Sequence, residues 1–137
     1  MIDNIIKESL IMSEKIIQIS PTMIKGVEYN TEFPTESVNL TGSPEFKIIT
    51  FPDKPLEGCV DVIFTAKDTD GDRVMIRIHT RTAVRVNSFI DNFDNFIGEN
   101  YLTPIMLSVN EKIRQVSSAV GMTIRIENFP FKYNGEV

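Results

Sequence analysis

The chain is 137 residues long, 42% hydrophobic and 24% charged, with a formal charge of −5. That length suits one domain, and the apolar share is enough for one core, which excludes wholesale disorder. The acidic balance argues against a nucleic-acid footprint, and no apolar run reaches the ~20 residues of a membrane span. The single cysteine, Cys59, excludes an internal disulfide and the common multi-cysteine zinc sites. Asp3, Glu8 and Glu14 interrupt the opening segment in a way no signal peptide does, so a cytoplasmic protein is expected.

Residues 1–20 read as a helix, because Ile2, Ile5, Ile6, Leu10, Ile16 and Ile17 recur near helical spacing until Pro21. β-branched isoleucine is only a moderate helix former, so packing has to hold this segment. Met23 to Phe33 suits a strand with a bulge near Gly26, while Pro34 and Thr41–Pro44 read as turns. Three clearer strands follow. They are Phe46–Phe51, Cys59–Lys67 after a Pro-rich loop, and Arg73–Val86. Asp70-Gly71 between alternating runs signals a hairpin. A two-residue loop there would set Phe64 opposite Arg77, whereas a loop of three or five residues pairs apolar with apolar, so an odd loop is expected.

The polar stretch 87–100 suits a short helical connection. A long helix over 102–121 follows, with Thr103 as N-cap and Pro104 at its first position. Its seam of Leu102, Met106, Val109, Ile113, Val116 and Val120 is heptad-like, and Gly121 suits the position after its end. Met122–Phe129 reads as a final strand or extended tail.

Chemistry-bearing patterns are few. Asp68-x-Asp70-x-Asp72 opens like a calcium loop, but Arg73 stands where Gly is needed and His79 where Glu is needed. Arg73, Arg77, His79, Arg81 and Arg85 share one strand face, which would suit an anionic ligand or be paired with Asp61. His79 has no nucleophile elbow to serve, and Cys59 has no helix N-terminus to activate it. No enzymatic activity, catalytic residue, metal or cofactor is expected. Phe89, Phe93 and Phe96 lie in a connection, where aromatics either form an adaptable apolar surface or pin the segment to the core.

From Gly42 onward this order of elements resembles the SecB export-chaperone family. Pro44-Glu45-Phe46-Lys47-Ile48 is similar to the start of that family's second strand, and Val60–Ala66 to its third. The stretch from Leu102-Thr103-Pro104-Ile105-Met106 to Gly121 is similar to its long helix. The resemblance covers residues ~42–130. It implies one α+β domain over 1–137, in which a four-stranded antiparallel sheet (22–86) packs on a long helix, here with an N-terminal helix added. It implies a homo-oligomer, a dimer of dimers, with Met106, Val109, Ile113 and Val116 at the interface. It also implies an ATP-independent holdase or peptide-binding scaffold for unfolded clients. The groove candidates are then Phe46, Ile48, Val62, Phe64, Phe89, Phe93 and Phe96. The family's second, groove-lining helix has no counterpart before Val137, so delivery to a SecA-type motor is not expected. A relative serving an antitoxin, phage or plasmid protein fits as well. The alternatives are an oligomeric binding protein that sequesters an anion on Arg77, His79 and Arg81, and a structural oligomer without ligand.

Overall fold

A computed structural model describes residues 16–31, 38–67 and 73–126. The centre of the fold is an antiparallel pair, β4 (Lys54–Lys67) and β5 (Val74–Val86). Alternation decides their faces. Val60, Val62, Phe64 and Ala66 of β4, and Ile76, Ile78, Val84 and Val86 of β5, are at most 2% exposed. Phe64 pairs with Ile78 and Ala66 with Ile76, the like-with-like register that alternation demands. A bulge beyond Ala66 then sets Lys67 opposite Val74. Six residues, 68–73, therefore separate the last pair, which corrects the odd-length expectation. The turn itself, residues 68–72, lies outside the described residues.

β3 (Val38–Phe51) joins β4 through Pro52 and Asp53 and is far longer than the expected Phe46–Phe51. It runs straight through Thr41–Pro44, which read as a turn. Both turn-type residues have tertiary reasons. Gly42 leaves room for the Phe64 ring, because a methyl group there would lie 2.5 Å from Phe64 Cζ and 2.6 Å from the Thr65 carbonyl oxygen. Pro44 lies past Gly42–Ile126, the last pair between β3 and the parallel strand β6 (Met122–Ile126). A proline is tolerated where a strand has an open edge.

On the far side of β5, two short strands share one edge. β1 (Ile17–Ile19) pairs with Val84–Val86, and β2 (Met23–Tyr29) with residues 76–81. The register slips between Ile24 and Gly26, where a bulge was expected. The sheet thus has six strands and is mixed, ordered β1-β5-β4-β3-β6 with β2 beside β1 on β5. That corrects the four-stranded antiparallel expectation. Ile17–Ile19 is strand rather than the end of a helix, since β-branched residues gain more from a ladder on β5. The rest of the expected N-terminal helix, residues 1–15, lies outside the described residues, as do Phe33, Pro34 and residues 127–129.

Two helices cover the inward face. α1 (Phe93–Asn100) and α2 (Leu102–Ala119) meet at Tyr101, whose N–H donates to Ile97 O and whose carbonyl accepts from Ile105 N. α2 therefore starts one residue before Thr103, and Tyr101 rather than Thr103 is its N-cap. Pro104 still sits in the first turn, where a missing N–H costs nothing. Gly121 takes the left-handed conformation after α2, with φ 81. Leu102, Ile105, Met106, Val109 and Ile113 are at most 2% exposed. Burial of each is worth ~1.5–3 kcal/mol. Thr22 fastens the β1–β2 edge to this layer, its hydroxyl lying 2.9 Å from both Thr82 Oγ1 and Ser108 Oγ. No helix among the described residues is long and apolar enough to cross a membrane.

The tight passage at Gly42 makes a direct test. Gly42→Ala is expected to lower stability by about 1–3 kcal/mol, the usual cost of overpacking, measured by urea unfolding. An unchanged midpoint would show that Phe64 can move aside.

Candidate functional site

The helices and β4–β5 consume one sheet face and leave the other outward. This division relocates most of the residues singled out above. Val62 and Phe64 are fully buried beneath the helices, and Phe93 is 6% exposed, so a client cannot reach them. Phe46, Ile48 and Phe96 are half-buried and pack against the same core. Phe96 also stacks at a tilt on Tyr101, with ring centroids 5.6 Å apart. Phe89 alone of that set is openly exposed, at 62%. Met106, Val109 and Ile113 are buried against the chain's own sheet, with Val116 half-buried beside them. The α2 seam is thus an intrachain contact, which corrects the interface expectation for these residues.

The outward face is built in cross-strand rows, since residues directly opposite lie on the same side. One row is Ile49, Cys59 and Ala83. The next is Lys47, Asp61 and Arg81, then Glu45, Ile63 and His79, then Ser43, Thr65 and Arg77. Asp61 is the electrostatic centre. Arg81 Nε donates to its Oδ1 at 2.7 Å and Arg81 Nη2 to its Oδ2 at 2.9 Å, while His79 Nε2 lies 3.2 Å from Oδ2. The Arg81 hydrogen bonds hold the Asp61 carboxyl below its ordinary value against the opposing effect of burial, and His79 adds to the lowering. Asp61 in turn holds Arg81 protonated more firmly than usual.

Cys59 is 3% exposed, and burial, reinforced by Asp61, pushes its thiol up. It is an inert thiol rather than a nucleophile. One row further, Arg85 Nη2 donates to Glu57 Oε1 at 2.6 Å.

The expected anion site of Arg77, His79 and Arg81 is therefore not assembled, because Asp61 already engages two of the three. Arg77 instead borders a polar pocket of ≈ 540 Å³ with Lys67, Glu45, Thr41, Ser43 and Thr65. At the opposite end of the face lies a more apolar groove of ≈ 720 Å³, lined by Phe51, Gly58, Cys59, Ala83 and the Gln18–Ser20 edge. A smaller apolar hollow of ≈ 400 Å³ around Pro55, Leu56 and Val86 adjoins it, and Glu57 and Arg85 line both. Phe51, Leu56 and Ala83 carried one signal in the sequence: apolar residues on a hairpin end and on the otherwise polar strand face.

No protein-family profile matches the chain, and no curated protein does. Among solved structures it is similar to the Mycobacterium tuberculosis SecB-like chaperone Rv1957, determined in complex with a ChAD peptide from the Rv1956 HigA1 antitoxin. The two are 10% identical, and the match covers 84% of this chain and 93% of that one with a TM-score of 0.52. A Streptococcus agalactiae protein of unknown function aligns at 8% identity over 79% of this chain and 89% of its own, with a TM-score of 0.44. The likeness to the SecB-like chaperone is one of fold.

Asp61 supplies a pH test. Its folded carboxyl titrates below its unfolded one, so its stabilisation is present above the unfolded value near ~4 and fades as pH falls through the folded one. Asp61→Asn is expected to cost about 1 kcal/mol at pH 7, discounted for the partly exposed Arg81, and to flatten the acid limb of a stability–pH curve. Parallel acid limbs for the two proteins would contradict this role.

Proposed function

We propose that the chain is an ATP-independent peptide-binding scaffold, a SecB-like holdase that takes an extended apolar stretch of a client polypeptide onto the outward face of its sheet. The observation that carries this reading is the groove around Ile19, Phe51 and Ala83, floored by the buried Gly58 and Cys59, whose exposed lining is mostly apolar and whose mouth is open. Shallow apolar surfaces of this kind accept clients that share hydrophobicity rather than a sequence. The fold shared with a SecB-like chaperone seen holding a peptide supports the same reading. Leu56 and Phe89, at 37% and 62% exposure, extend the apolar surface at the hairpin end of the sheet and after β5. Assembly as a homo-oligomer belongs to this proposal. Its surface is the outer side of α2, where Leu107 is 57% exposed, in place of the buried seam.

A charge placed in the groove tests the assignment without touching the core. Ala83 is exposed on β5. Ala83→Asp is expected to weaken binding of an unfolded client by about tenfold or more, read by light scattering of native mass and by suppression of client aggregation. Leu107→Ser, on the proposed assembly surface, should lower the native mass of the free protein while client binding per chain stays unchanged. Equal client binding by wild type and Ala83→Asp would remove the groove from the reading, and a wild type indifferent to unfolded chains would remove the reading itself.

A further inference from the structure

The apolar groove and the Lys67–Arg77 pocket lie on one face of one sheet. The rows that mark them, Cys59 and Thr65, are six residues apart along β4. At ~3.3 Å per residue that is roughly 20 Å, the span of six residues in an extended client lying along the strands. The cations between and around them are not equivalent. Arg81 and Arg85 are held by Asp61 and Glu57. Lys67 and Arg77 at the pocket, and Lys47 in the row between, are exposed and make no ion pair among the described residues. Hydroxyls of Thr41, Ser43 and Thr65 line the pocket beside them. Among the described residues two carboxylates stand near, Glu45 in the lining and Glu28 at the register position opposite Arg77 on β2.

We propose that this face reads a two-part client: an apolar side chain seated in the Phe51–Ala83 groove and, about six residues away, an aspartate or glutamate held between Lys67 and Arg77. The inference rests on the peptide-binding reading and adds the chemistry of the client. The bordering carboxylates favour a singly charged partner over a phosphate, which they repel more strongly. On an acidic chain, an apolar groove at one end of the face and, at the other, two cations without an ion pair among the described residues give the client a direction as well as a charge.

Three labelled peptides of one sequence test it by fluorescence anisotropy: Phe and Glu six residues apart, the same with Gln for Glu, and the same with Glu next to Phe. The spaced Glu peptide is expected to bind about three- to tenfold more tightly than the other two at low ionic strength, and the advantage should shrink in high salt. Lys67→Gln and Arg77→Gln should each reduce that advantage while leaving the Gln peptide unaffected, and Glu45→Gln should enlarge it. Ala83→Asp should weaken all three peptides. Equal binding of the Glu and Gln peptides, or an advantage that survives Lys67→Gln with Arg77→Gln, overturns the acidic half and leaves peptide binding standing. Displacement of the Glu peptide by inorganic phosphate, with acetate inert, overturns the carboxylate assignment. Failure of every peptide and of an unfolded protein client overturns both.

Discussion

The contact between the α2 seam and the inward face of β4 and β5 is the constraint on which the rest of the structure depends. Met106, Val109 and Ile113 meet a sheet face made of Val60, Val62, Phe64, Ile76 and Ile78, all of them fully buried. Because strand side chains alternate with a period of two, this contact also decides the other face. A slip of β5 by one residue would carry Arg77, His79 and Arg81 under the helices, at the desolvation cost of three polar side chains. Core packing and the placement of the outer charges are thus the same decision.

The outer face turns that decision into a graded surface. In its middle, Asp61 answers Arg81 and His79 on the neighbouring strand, with Lys47 opposite it on β3. Toward the β3–β4 hairpin comes the apolar Ile49–Cys59–Ala83 row, and beyond it the paired Glu57 and Arg85 stand between the Phe51 groove and the Leu56 hollow. Toward the other end Lys67 and Arg77 share a polar pocket with Glu45 and three hydroxyl side chains. A surface with an apolar end, a charged centre and a polar end is graded along the strands, which a face of uniform alternation would not be.

Much of this was readable from residues alone, and the exceptions have a common cause. The alternation of Val60–Ala66 and Val74–Ile78 identifies the central pair and its register, the 4-3-4-3 spacing identifies α2, and Gly121 marks its end. Asp61 opposite Arg81 follows from that same register. What could not be read depends on partners distant in the chain. Gly42 and Pro44 look like a turn until the Phe64 ring and the end of β6 explain them. The apolar seam of α2 looks the same whether it meets its own sheet or a second subunit. Ile17–Ile19 is too short a run for periodicity to separate strand from helix, and the choice falls to β5. The bulge beyond Ala66, which shifts the register at Lys67, leaves no mark in the residue types.

The parallel pairing of β3 with β6 has a consequence in time rather than in space. β3–β4 and β4–β5 are hairpins, closed by short loops, and need little chain entropy to form. β3 and β6 are separated in sequence by both hairpins and both helices, and β6 takes its place only when α2 has laid the chain across the inward face. Such long-range closure costs more loop entropy than either hairpin does. Fraying at β6 would uncover the edge of β3 from Val38 to Gly42 while the central strands stay folded, so the sheet can lose a strand at one side without surrendering its core.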